Sequence, residues 1–520
     1  MADNMDIEEM RKRKRWEVDT EDASPQAKKE KRTEEENGAA PANHAVAAVT
    51  NGSEETPKKA LEITPEIAPE KAPEKEPAND AANDAANDTA KTDATVAAVA
   101  KEEEVVKEEV VKEAGKVFVW GRNDCGQLGL GEDVEEALRP KPLVFEEEVI
   151  DVACGGMHAV ALLASGKVFS WGVNDEGGLG RNTENEHWEK AEKAIKELSP
   201  EQLDSYTPAL VAFPEEGVKI TSIVAGDSSC FALDSDGRVW GWGTFRNING
   251  VLGFLPAVKI QLVPAKVLDL KKDDKVVKIV GGANHVACFT EKKAVYSWGT
   301  AEQGALARFK EGDIADEVKS KEKLLVPGRV AFDEGVEITD IHAGQYATFF
   351  ATEKEGLLGC GLNNAKQMGL GEKHERNLVF TPEKLPNFGA LKTITGGSHH
   401  TIALAEEGDV LTCGRTVYGG LGLSDVDITK NESRSLPSRV SELAAGTVKG
   451  VAANEAVSGC FLSNGDVFMW GLGSSGHLAA GSDEDDKKTP CKVRRPKAFS
   501  GFKVKNMSIG GMHVAVVADK

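Results

Sequence analysis

From Lys116 onward a single unit recurs seven times, and that repetition constrains the fold more than any other feature of this 520-residue chain. Each copy opens with a short alternating strand ending in glycine: KVFVWG at 116, KVFSWG at 167, RVWGWG at 238, AVYSWG at 294, LLGCG at 357, DVLTCG at 409 and DVFMWG at 466. A polar glycine turn, a variable loop and a proline-led strand such as RPKPLVF or LPSRV follow. Each copy closes with an apolar strand after a pair of small residues, as in CGGMHAVALL, GGANHVACF and GGSHHTIAL. Successive openings lie 51, 71, 56, 63, 52 and 57 residues apart. Four short strands per unit and seven units predict an all-β, seven-bladed β-propeller over 116–520, an architecture that hides most sheet edges by radial repetition.

The phase of the repeat predicts how the ring shuts. Within the chain, each closing strand runs through a tight turn (ASGK, DSDG, SNGD) into the next opening strand, as hairpin chemistry requires. The last closing strand, 513–518, has no successor, and the first opening strand, 116–121, has no predecessor. These two are expected to pair and clasp the ring.

Residues 1–115 are of another kind. Trp16 is their only aromatic, and 29 acidic residues stand against 17 basic ones. Such a stretch buries too little apolar surface to offset chain ordering, so it reads as a disordered acidic tail. Two basic clusters, Arg11, Lys12, Arg13, Lys14, Arg15 and then Lys28, Lys29, Lys31, Arg32, flank residues 16–27. That spacing resembles a bipartite nuclear-localisation signal, the mark of a nuclear import receptor as partner; the alternative is a solvated charge run. The same clusters suit DNA, since lysine and arginine release counterions from phosphates regardless of sequence.

Several classes are excluded. A net charge of −22 argues against a generic nucleic-acid binder. No apolar run approaches the ~18 residues of a membrane span. The eight cysteines lie singly, without a Cys-x-x-Cys pair, which speaks against a zinc or other metal site and against a disulfide framework, and for a reducing compartment. GQLGLGE at 126–132 looks like a phosphate loop, but no Gly-Lys-Ser/Thr follows and equivalent turns recur around the ring, so no nucleotide cofactor is expected there. No Ser-His-Asp set or carboxylate pair stands out from the periodic background, so hydrolytic chemistry is not expected.

One copy breaks the count. Six turns run from Trp-Gly or Cys-Gly to a Leu/Met-Gly/Ala pair in ten residues, whereas Trp242 to Gly253 takes twelve. The extra length falls among Phe245, Arg246, Asn247, Ile248, Asn249, Gly250, Val251 and Leu252, as a protruding hairpin or an ordinary loop insertion. In the closing turns, His158, Ser229, His285, Tyr346, His400, Val457 and His513 take roughly equivalent places. A histidine at four of seven such places either faces a partner or bonds the neighbouring blade.

The W-G-x-N-D-x-G-x-L-G and G-G-x-H-x-x-x-L cores resemble the regulator of chromosome condensation family across 116–520. The resemblance implies nucleotide exchange on the small GTPase Ran, without covalent chemistry, by a nuclear, chromatin-associated protein. It implies that the twelve-residue turn is a β-wedge that prises the GTPase open. It also implies that His158, His400, His513 and Asp227 are exchange-active, and that Asp124, Arg308 and Asn364 are contact positions. Where the family carries an aspartate in the third closing turn, this chain has Asn284, which accepts a hydrogen bond but cannot neutralise a lysine; that role is weakened or redistributed. Family members also dock on nucleosomes through arginines of a fourth-unit loop. Here that loop, 308–325, offers Lys319, Lys321 and Lys323 and one arginine at its start, without the bidentate fork arginines would give toward nucleosome core histones. The family's N-terminal Pro-Lys methylation signal is missing. The same propeller also serves as a scaffold or chromatin adaptor without exchange activity. A plant ultraviolet-B photoreceptor reading ranks third: Trp120, Trp171, Trp242, Trp298 and Trp470 occupy the repeat's own Trp-Gly site, leaving Trp188 and Trp240, too few for an excitonic cluster.

Overall fold

The computed structural model describes residues 116–183, 204–270, 274–444, 446–482 and 485–520; the tail with its two basic clusters, and Trp188, lie outside the described residues. Among the described residues the strands form seven four-stranded antiparallel sheets plus one two-stranded ribbon, a seven-bladed propeller as the period predicts. One blade runs Val149–Cys154, His158–Leu163, Val168–Gly172 and Ala209–Leu210, in that order from the axis outward. Blade and repeat are therefore offset by two strands. The inner pair comes from the closing half of one unit and the outer pair from the opening half of the next.

The ring closes as expected. Lys503–Ile509 and His513–Asp519 from the C-terminus share a sheet with Lys116–Arg122 and Glu136–Leu143 from the first unit. Their register runs from Lys116 opposite Ala518 to Gly121 opposite His513. Phe118 stacks on Phe499 at 4.2 Å between centroids, so the clasp is bonded along its edge and packed on its face.

Why the unit ends its opening strand in Trp-Gly, and why cysteine can replace the tryptophan, follows from how blades touch. Indole Nε1 of Trp171, Trp242 and Trp470 donates to a carbonyl in the preceding blade's glycine turn: Gln127, Gly178 and Gly420, at 3.0, 2.9 and 3.0 Å. Cys413 does the same with its thiol, reaching the Gln367 carbonyl at 3.2 Å. The glycine that follows has φ between +91° and +134° in all seven copies, in the left-handed region that disfavours a side chain. A Cβ at Gly121 would lie 2.4 Å from the Met512 carbonyl oxygen, so only glycine lets the strand end press against the closing turn. All eight cysteines are free thiols, six of them buried.

Candidate functional site

The twelve-residue turn is a hairpin. Phe245–Asn247 pairs with Gly250–Gly253, with Asn247 opposite Gly250 and a register shift between Phe245 and Arg246. Its root is apolar and sealed: Phe245, Leu252 and Phe254 are at most 1% exposed, and Phe231 stacks on Phe245 and Phe254 at 5.8 and 5.9 Å. Its tip is open, with Ile248 66% exposed. Insertion length alone does not distinguish a lever from a floppy loop. A buried aromatic root beneath an exposed tip marks an anchored hairpin.

The hairpin is rooted next to the closing turns. The backbone N–H of Arg246 donates to Oδ1 of Asn284 at 2.7 Å, and the N–H of Asp227 donates to the carbonyl of Ala283, also at 2.7 Å. Asn284, expected to face a partner, here serves as a bracket for the hairpin. Asp227 is exposed on the same rim. Further round, Ser398 Oγ lies 2.9 Å from Gln345 Oε1 and 3.0 Å from Glu455 Oε2. Burial, and after it the negative charges of Asp227, Glu455 and Glu302, push the Tyr346 phenol well above its usual value.

The histidines sit elsewhere than a surface role requires. His158, His400 and His513 are 2%, 3% and 0% exposed. His158 Nε2 lies 3.0 Å from Cys230 Sγ, His285 Nε2 lies 3.0 Å from Thr348 Oγ1, and His400 Nε2 lies 2.7 Å from Ser458 Oγ, each partner belonging to the next blade. In each case the partner follows the first residue of the neighbouring strand. By that rule the position opposite His513 is Ala159, and neither ring nitrogen of His513 has a side-chain partner. Desolvation holds His158, His285 and His400 at about 4 and His513 at about 3, so all four are neutral near pH 7. Tyr346 is not their counterpart. Ala347 pairs with Gly361 as His158 pairs with Gly172, so the fourth closing turn is one residue out of the register read from sequence.

The remaining contact candidates divide. Asp124 and Asn364 are exposed at the same point of two glycine turns, just after Asn123 and Asn363, whose Oδ1 atoms accept from the N–H of Leu128 and Met368 at 2.8 and 3.1 Å. Arg308 is turned inward. Its Nη2 donates to the Lys323 carbonyl at 2.8 Å, it stacks over Phe309, and burial pulls its guanidinium down to about 10. It pins the base of loop 308–325, while Lys319 and Lys323 stand exposed on that loop.

Three residues that sequence reasoning missed hold the hairpin. Arg246 forms an ion pair with Glu176, Asn247 Nδ2 donates to Glu317 Oε2 at 2.9 Å, and the Ile248 N–H donates to Glu302 at 2.8 and 3.0 Å. The available signal was Ala301, which stands where three other turns carry asparagine and leaves that turn needing an outside acceptor.

A family model described as an RCC1-like domain matches residues 116–516. The chain is 36% identical over 420 residues to the regulator of chromosome condensation of Homo sapiens, a match covering 78% of this chain and 92% of that protein. It is 30% identical over 411 residues to the guanine nucleotide exchange factor SRM1 of Saccharomyces cerevisiae, covering 73% and 82% of the two chains. The crystal structure of Prp20p from Saccharomyces cerevisiae, described together with its binding to Gsp1p and histones, superposes with a TM-score of 0.68 at 30% identity. That superposition covers 78% of this chain and 92% of the other.

Proposed function

The chain belongs to the RCC1-like domain family, and we propose that within it this protein is a guanine-nucleotide exchange factor for the small GTPase Ran, releasing GDP so that GTP loads near chromatin. A relative named as an exchange factor supports the activity, and one described with Gsp1p and histones supports both kinds of partner.

The physics of exchange sets what such a face must supply. A GTPase that holds its nucleotide at about picomolar affinity gains about 16 kcal/mol from it, so unaided release is slow. A protein that binds the empty GTPase better than the loaded one weakens nucleotide by the same factor, with no covalent intermediate. It needs a rigid element to displace the phosphate-binding segment, and polar groups to receive what the phosphates abandon, because unpaired buried groups are costly.

The observation that carries this reading is the hairpin: an exposed Ile248 tip on a root at most 1% exposed, beside Asp227. In this scheme Asp227, Asp124 and Asn364 touch the GTPase directly. His158, His400 and His513 act through the blade-to-blade bonds and packing that hold the closing turns in place. The exposed lysines of loop 308–325 face the nucleosome. The test is release of a fluorescent GDP from Ran in the presence of this protein. Acceleration is expected; release at the background rate, with histone binding intact, would replace exchange by the adaptor reading.

A further inference from the structure

In three of the seven glycine turns an asparagine braces the turn from within, but the fourth has none. Asn123, Asn174 and Asn363 each fold their own turn by accepting the N–H five residues on, at 2.8, 3.0 and 3.1 Å. The corresponding residue after Trp298-Gly299 is Ala301, which has no acceptor to offer. Glu317, from loop 308–325, braces this turn at another point: its Oε1 accepts the N–H groups of Ala301 and of Glu302, where the N–H of Asn123 and of Asn363 goes to a backbone carbonyl of its own unit. Its other oxygen accepts from Asn247 in the hairpin. Glu302 occupies the place of Asp124 and Asn364, the exposed contact positions, yet its carboxylate turns onto the backbone N–H of Ile248 at the hairpin tip. Asn247 Oδ1 completes the tip by accepting the Asn249 N–H at 3.0 Å. A two-stranded ribbon is at best marginally stable alone in water. Here charge-assisted bonds, stronger than neutral ones, supply what a third strand would.

The geometry points to Glu302 and Glu317 as positioning residues for the proposed exchange reaction: two carboxylates of the fourth unit that hold the third unit's hairpin in its working pose. This inference rests on the exchange reading. Neither residue has to touch the GTPase for it to hold. A lever that yields when pushed transmits no displacement, so the brace acts in the step where nucleotide is expelled rather than in the encounter. Holding the tip also removes conformational freedom that would otherwise be lost on binding. The brace ties the loop that bears Lys319 and Lys323 to the hairpin through Glu317, so the two surfaces are mechanically one element.

The experiment uses the full chain with Glu302→Ala, Glu317→Ala, Glu302→Gln and Glu317→Gln, and with Glu406→Ala, an exposed carboxylate on a turn of another unit, as control. Amide hydrogen exchange at Ile248 reports the brace, and GDP release from Ran at varied Ran concentration separates kcat from KM. Loss of a charged hydrogen bond at the tip predicts a kcat lower by roughly ten- to a hundredfold with KM within about threefold. Faster exchange of the Ile248 N–H is expected alongside, and each glutamine, which retains one carbonyl acceptor, should restore most of the rate. Unchanged kcat with unchanged Ile248 exchange would overturn the brace, as would a rise in KM alone. A wild-type chain that leaves GDP release at background overturns the exchange reading itself, whatever the amide data show.

Discussion

The turn after Trp171 and the turn after Trp242 leave the same strand position, through glycines of similar positive φ, 104° and 91°, and end as different objects. After Trp171, Asn174 closes the turn from within: Oδ1 accepts the Leu179 N–H, and Nδ2 donates to the Arg181 carbonyl and to Thr183 Oγ1. After Trp242 there is no such asparagine. The hairpin is held by Glu176 of the second unit, Asn284 of the third closing turn, and Glu302 and Glu317 of the fourth unit. The comparison teaches that a repeat unit carries its own bracing and so tolerates copying. A unit that departs from the pattern does so where its neighbours take over the hydrogen bonds it gives up.

Acid is the harshest way to test the repeated half of this comparison. The four closing-strand imidazoles, His158, His285, His400 and His513, titrate at about 4 or about 3 in the folded chain, against about 6.5 when unfolded. As pH falls below 6.5 the unfolded chain takes up protons first, so the stability these histidines permit is whole above that value and drains away between pH 6.5 and 4. The slope is on the order of 1.4 kcal/mol per pH unit for each imidazole. Urea denaturation at pH 7.5, 6 and 5 should show midpoints falling steadily; a flat series means these rings are not buried as described.

A smaller loss comes from Asn174→Ala, which removes three buried hydrogen bonds and should cost about 2–3 kcal/mol. Glu176 on the same turn pairs with Arg246 of the hairpin, so the folded fraction should lose some of the proposed exchange activity, but less than a variant of the hairpin tip loses. An equal drop in kcat would blur the distinction between self-braced and borrowed bracing. The converse change is Ile248→Ala with Asn249→Ala at the exposed tip. Stability should stay within about 0.5 kcal/mol, as for surface substitutions generally, while GDP release from Ran slows by roughly tenfold or more. A rate that holds would locate the opening element elsewhere. The smallest effect is a gain. Ala159→Ser gives His513 the hydroxyl that His400 finds in Ser458, and should stabilise the chain by about 1 kcal/mol in the same denaturation assay.

How much of this was legible beforehand differs by residue. Strand count, blade number and clasp were readable because a repeat prints its backbone needs at every copy: the positive-φ glycine, the indole donor, the apolar closing strand. The hairpin was visible as two surplus residues. The histidines showed only as a pattern, and the same letters would have served a surface role. Their partners, Cys230, Thr348 and Ser458, lie 72, 63 and 58 residues away, at no spacing that marks them. Ala301 could have been noticed as the missing asparagine, but nothing along the chain names Glu317 as the acceptor that braces that turn.

By itself, then, the sequence determined the period, and with it a closed ring, because local backbone conformation and strand alternation are properties of short segments. Only the tertiary structure decided which side chains face inward across blade boundaries, that Asn284 bonds the hairpin, and that Glu302 turns from the surface to the tip. Those choices depend on which groups meet after the ring has shut, and hydrogen bonding between residues distant along the chain leaves no period to read.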